Sequence, residues 1–455
     1  MVKIPSRLED LLHTAAMEKV MEVLHQPDIS SSVREALNKV GLKDANPLGQ
    51  VQNAWRQARG WIESLAEQIG GSARNQATIN ATGCLFLPEF GGVPMSSAVA
   101  LGYAKAATTF HGSAAHNAMA DQVARSILGQ PVVWIASPLA TLQLLRIAAI
   151  SPGGIVIARA DAVRVPGLGD VRSMLTSTAQ GGGLVELGAA NGASEADWSA
   201  AVTSSQQIVL LVSPNGLTAE SATEQRKLAI AAAEKVGATV IELLADGVVD
   251  PALSERLGLP NIKHRLASGV DLVLVPTHCL LAGPSGMLVA GNEKLVAALK
   301  TNALAWGAIC DGPQLVASAI ALEMGGSDKP EAGVVSQLTT NPENLKNRAS
   351  RIAIQLNDSE KILSAVEVPR TCPLGATPWD RYRLDNWAVR VSPREQKNGA
   401  ADLHEELLRG CQETQRMSIA TTLDRNDLLV DLRFVSPEDD HEIVEAFLGP
   451  RGETL

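Results

Sequence analysis

His278 and Cys279 stand side by side between an apolar run, Leu272-Val273-Leu274-Val275, and a tight Gly283-Pro284 turn. An imidazole moves protons near neutral pH and a thiolate attacks electrophiles, so the pair has the groups for acid–base or nucleophilic chemistry. A packed strand end with neither role is the simpler reading of the same residues. A primary amine is missing here: Lys263 lies before the strand and Lys294 beyond the turn. Glu242 follows Ala238-Thr239-Val240-Ile241, 37 positions ahead of Cys279. It reads either as a strand-end acid facing a ligand or as a solvated carboxylate.

Ser137, before Pro138, suits the cap of a helix, where its hydroxyl would lie near an anion or simply close the helix end. Arg159 and Asp161 follow the apolar run Ile155-Val156-Ile157-Ala158 and read as a structural pair or a ligand contact. Arg433 has the planar fork that grips a carboxylate or phosphate, but Asp431 and Glu438 are near enough in sequence to pair with it instead. His111 and His116 flank a small-residue loop without an acidic or cysteine partner at ligand spacing, so no metal site is expected. No Ser-His-Asp order, P-loop or dinucleotide fingerprint stands out.

These residues need a scaffold, and the hydrophobic pattern supplies one. Seven short apolar runs read as strands buried on both faces: 132–135, 155–157, 184–185, 208–212, 239–241, 272–275 and 287–289. Helical stretches such as 222–236 alternate with them, which predicts an α/β fold with a mainly parallel seven-stranded sheet. Such sheets bind ligands beyond the carboxyl ends of their strands. Before residue 76 the apolar spacing is helical. After 335 the chain is charged and helical, then has a strand at 386–391, a hairpin of 418–422 with 428–435, and a last helix over 438–448. The expected domains are therefore 1–75 (helical), 76–335 (large, α/β) and 336–455 (small, α/β).

A chain of 455 residues exceeds one ordinary core. With 45% hydrophobic and 19% charged residues it has a globular composition. Neither a signal peptide nor a membrane span is evident, and five scattered cysteines form no disulfide framework, so a cytoplasmic location is expected. The net charge of -10 opposes attraction to polyanions, and residues 1–74 balance nine Lys/Arg against nine Asp/Glu. Sequence-blind tRNA binding is not expected from that balance.

The order and spacing of several motifs resemble bacterial selenocysteine synthase, the L-seryl-tRNA(Sec) selenium transferase family. They are Ile79-Asn80-Ala81-Thr82-Gly83, Glu186-Leu187-Gly188, Leu280-Leu281-Ala282-Gly283-Pro284, and Asp431-Leu432-Arg433 before Pro437-Glu438-Asp439. The resemblance implies a fold-type-I architecture for pyridoxal phosphate (PLP), an N-terminal domain that meets tRNA, and a dimer or ring of dimers. It implies cofactor-binding roles for Ser137, Arg159, Glu242 and Gly283 and a substrate-binding role for Arg433. The PLP lysine of the family falls on Cys279, and His278 takes the place of its aspartate. Ala114 replaces an arginine, and 302–309 replaces a basic stretch. A thiol forms no aldimine, so the expected protein keeps the family fold and lacks Schiff-base chemistry. An active enzyme using His278 as an unusual base, or PLP held without a covalent bond, is the alternative.

Overall fold

The computed structural model describes residues 77–448 apart from 88–89, 110–112, 138–140, 142–152, 178–182, 303–307, 327–332, 396–398 and 411–416. The helical domain expected over 1–75 lies outside the described residues.

The strands in chain order are β1 (Thr78–Asn80), β2 (Val132–Ile135), β3 (Ile155–Ala158), β4 (Arg164–Val165), β5 (Gly169–Asp170), β6 (Leu184–Leu187), β7 (Ile208–Ser213) and β8 (Thr239–Leu244). They continue as β9 (Leu272–Pro276), β10 (Met287–Gly291), β11 (Ile362–Pro373), β12 (Arg383–Pro393), β13 (Ser418–Ala420), β14 (Thr422–Asp424) and β15 (Asp427–Asp431). The large sheet has the order β2-β10-β9-β8-β7-β3-β6, and all seven runs expected from sequence are in it. β10 runs antiparallel to both neighbours, and the pairs linking β9, β8, β7, β3 and β6 are all parallel. β2, β9 and β10 are buried at every position. Burial on both faces is why these strands are continuous apolar runs rather than alternating ones.

Helices cover the sheet, and their ends follow local chemistry. The helix Ala219–Val236 is capped by the Thr218 hydroxyl, which accepts from Ser221 N, and stops at Gly237 in the left-handed region. It buries Ala229, Ala232 and Ala233, small side chains that let it lie close to the strands. Two apolar clusters result. One includes Ile157, Leu210, Ile241 and Leu274, the other Val156, Val209, Val240 and Val273, as the alternation along each strand requires.

The second sheet, β11-β12-β15-β14, differs from expectation in two ways. β11, a 12-residue edge strand, lies where only helix was expected. Pro369 and Pro373 obscure it in the sequence, and an edge strand tolerates them because one side of its backbone needs no ladder donor. The hairpin is Thr422–Asp424 with Asp427–Asp431, whereas Ser418–Ala420 pairs in parallel with Thr78–Asn80. The last helix is Asp440–Leu448, preceded by a 3-10 turn at Pro437–Asp439.

Candidate functional site

Parallel strands end together, so residues just past β3, β7, β8 and β9 gather along one edge. β9 passes into Thr277, His278 and Cys279. The Thr277 hydroxyl donates to Pro284 O at 2.5 Å, and Gly283 N donates to Thr277 O at 2.8 Å, so the turn closes on itself. A Cβ on Gly283 would lie 3.3 Å from both Ala321 Cβ and Thr277 O. Its role here is close packing of the turn.

His278 is 4% exposed. Its Nε2 lies 2.9 Å from Pro166 O, and its carbonyl accepts from Val93 N at 2.9 Å. Because a carbonyl only accepts, Nε2 carries the proton, and Nδ1 has no partner within hydrogen-bond distance. Gly92 and Gly167 wall the ring: a Cβ on Gly167, already at φ +65°, would come within 2.4 Å of Nε2. Burial pushes the imidazole pKa down, partly offset by the Pro166 and Gly286 backbone.

Cys279 is 0% exposed and belongs to the apolar cluster beneath the turn. Burial, helped by the Asp246 charge, pushes its thiol far above the ordinary range. A thiol so placed is a small hydrophobe rather than a nucleophile.

The strand-end acid is Asp246, two residues past β8 and fully buried. Tyr382 donates its hydroxyl to Asp246 Oδ2 at 2.5 Å and Ser213 donates to the same oxygen at 2.9 Å, while Oδ1 has no partner. Burial raises the Asp246 pKa to about 6, with the two hydroxyls and Arg265 pulling the other way. Two strands along, buried Asp161 accepts from Asn215 Nδ2 at 2.8 Å, and burial raises it to about 7. Sequence reading placed the end of β8 at Ile241. Leu243-Leu244-Ala245 carry the apolar run on, which makes Asp246 the first acid past the strand.

Glu242 is inside β8, level with Leu211 and Val273. Arg226 Nε donates to its Oε2 at 3.1 Å, and Arg265 Nε lies 3.7 Å from Oε1. Both oxygens therefore face guanidinium groups. Ser137, half-buried past β2, offers its carbonyl to Thr141 N at 3.1 Å. Arg159, past β3, has a largely exposed side chain 3.9 Å from Glu186, to which Arg172 also donates. It lies three strand spacings from β9, about 14 Å. Ser137, Arg159, His278, Cys279 and Gly283 thus share the carboxyl edge, but only the last three share one turn.

Arg433 stands apart from that edge. Its Nη1 donates to Gln337 O at 3.0 Å and Thr340 O at 3.2 Å, and its Nη2 to Asp385 O. It is 2% exposed and closes the carboxyl end of the helix Gly333–Thr339. Asp431 pairs with Arg370 and Asn386. Among the described residues no group of three metal-ligating side chains converges. No helix among them is long and apolar enough to cross a membrane.

In fold, the chain is similar to D-glucosaminate-6-phosphate ammonia-lyase, with a TM-score of 0.59, 16% identity, and 84% of this chain and 97% of that one covered. The fold-type-I architecture expected from sequence is present. In sequence it is 23% identical to the L-seryl-tRNA(Sec) selenium transferase of Hyphomonas neptunium over 97% of each chain. It is 24% identical to that of Moorella thermoacetica, over 91% of this chain and 90% of the other. The family model described as SelA, L-seryl-tRNA selenium transferase, matches residues 111–436, well over half the chain. This protein therefore belongs to the L-seryl-tRNA selenium transferase family.

Proposed function

We propose that this chain is a selenocysteine-synthase-like protein that has lost lysine Schiff-base chemistry and serves as a non-catalytic, partner-binding member of its family. The observation that carries this reading is Cys279, fully buried in an apolar cluster at the position the resemblance gives to the cofactor lysine. When held as a lysine imine, PLP supplies an electron sink. The turn does not fit that attachment: a thiol replaces the amine, and it packs inward. Gly92, Gly167 and the Pro166 carbonyl hold the neighbouring imidazole in place.

The relatives are named for transfer to seryl-tRNA(Sec). The even charge balance of residues 1–74 and the net charge of -10 speak against sequence-blind tRNA binding by this chain. Under the same reading it has three domains, 1–75, 76–335 and 336–455, and self-associates as a dimer or ring of dimers.

A second reading, non-covalent PLP with His278 as an unusual base, draws support from two buried atoms without partners, His278 Nδ1 and Asp246 Oδ1. Absorbance separates the two. Purified protein without a band near about 420 nm that gains none with added PLP agrees with the first reading. A band lost on dialysis supports the second, and a dialysis-stable band removed by borohydride refutes both.

A further inference from the structure

The crevice at the carboxyl ends of β7 and β8, where open α/β sheets bind ligands, contains part of this chain. The connection between β11 and β12 turns inward, placing Trp379 at 3% and Tyr382 at 8% exposure within the main apolar cluster. Tyr382 donates to Asp246, past β8. Arg381 Nη2 donates to Leu217 O at 2.5 Å and to Asn215 Oδ1 at 3.3 Å, past β7. Trp379 packs at a tilt against Phe86 with ring centroids 4.1 Å apart, and Phe86 N donates to Leu374 O at 2.7 Å. Ala376 and Thr377, at the bend, are exposed. An aromatic body faces inward, its polar tips bond to strand ends, and its outer bend faces water.

We infer that residues 374–382 are a self-occluding plug: they fill the crevice as an internal occupant, latched by Tyr382 on Asp246 and Arg381 on Asn215, and any ligand must displace them. Three features suit a latch that opens. Ser213 still bonds Asp246 when Tyr382 leaves, so the acid keeps a donor. Asp246 Oδ1 is free to accept from whatever enters. The segment also connects two strands that pair with each other along their length, so it can swing without unpairing the sheet. Cys279, in the same apolar cluster as Trp379 and Tyr382, becomes a reporter of opening. The inference concerns access and stands whether or not the crevice binds PLP.

Pulse alkylation of the full chain with N-ethylmaleimide, mapped by peptide mass, tests it. Tyr382→Phe keeps the ring and removes the latching hydroxyl, so Cys279 should label about tenfold faster than in the parent while the urea midpoint of global unfolding changes little. Equal Cys279 labelling in parent and variant, in step with global unfolding, would overturn the plug. Should the variant fail to fold, hydrogen exchange of the parent decides: amides of 374–382 must exchange through a lower-energy opening than those of 383–393. Identical protection of both segments would also overturn it.

Discussion

Among the described residues four carboxylates are buried, and the two that lie within the sheets are partnered differently from the two at the strand ends. Glu242, inside β8, faces Arg226 and Arg265, and Asp431, in β15, pairs with Arg370. Asp161 and Asp246, past the ends of β3 and β8, are held by neutral groups: an amide for one and two hydroxyls for the other. Within a sheet a buried charge without a counter-ion has no recourse, so an arginine accompanies it. At the strand ends, burial is opposed mainly by neutral donors, with Arg265 a lesser influence on Asp246, and the pKa rises to about 7 for Asp161 and about 6 for Asp246.

The largest test breaks a sheet pair. Arg370→Met leaves Asp431 buried without its cation, and unfolding in urea at pH 7.5 should show a loss of about 3–5 kcal/mol. Arg226→Met should cost less, about 2 kcal/mol, because Arg265 still faces Glu242; an effect as large as that of Arg370→Met would mean the second arginine contributes nothing.

The strand ends should respond to pH rather than to the loss of a cation. Asp161 at about 7 and Asp246 at about 6 lie above the carboxyl range of an unfolded chain, so the folded form holds more protons between about pH 4 and 7. The stability they contribute is complete below about pH 4 and is lost as pH rises through those values. Asp431, raised to about 6 by burial despite Arg370, adds to the same slope. Asp246→Asn removes one titrating group: unfolding free energy should stay within about 1 kcal/mol of the parent at pH 5 and exceed it at pH 8. A variant less stable than the parent at pH 8 would mean that the ionised carboxylate is well solvated or paired. The smallest expected effect is on Cys279 of the parent, which should be labelled by N-ethylmaleimide at pH 7 far more slowly than half-buried Cys84, as peptide mapping would show.

Much of the scaffold was legible because strands buried on both faces are written as plain apolar runs: Val132–Ile135 reads the same in sequence and in structure, and the run 272–275 is extended only by Pro276. β11 was not legible, since Glu367, Pro369 and Arg370 interrupt a pattern that an exposed edge does not enforce. The parallel pairing of β13 with β1 joins segments some 340 residues apart, and local spacing contains no trace of such a contact. For the site, the turn at His278 and Cys279 was readable, but its inward packing was not, because Gly92 and Gly167 that wall the imidazole are distant in sequence. Asp246 was overlooked by ending β8 three residues early. Arg433 read as a partner of Asp431 or Glu438 or as an anion clamp; its bonds to the backbone carbonyls of Gln337, Thr340 and Asp385 leave no local signature.

The central claim is that no lysine of this protein captures the PLP aldehyde at the turn after β9. Intact and peptide mass spectrometry after borohydride reduction, with excess PLP present, measures this directly at Lys263, Lys294 and every other lysine. The account predicts no specific pyridoxyl-lysine at stoichiometric yield and an unmodified Cys279 peptide. A single lysine carrying one pyridoxyl group per chain would contradict it.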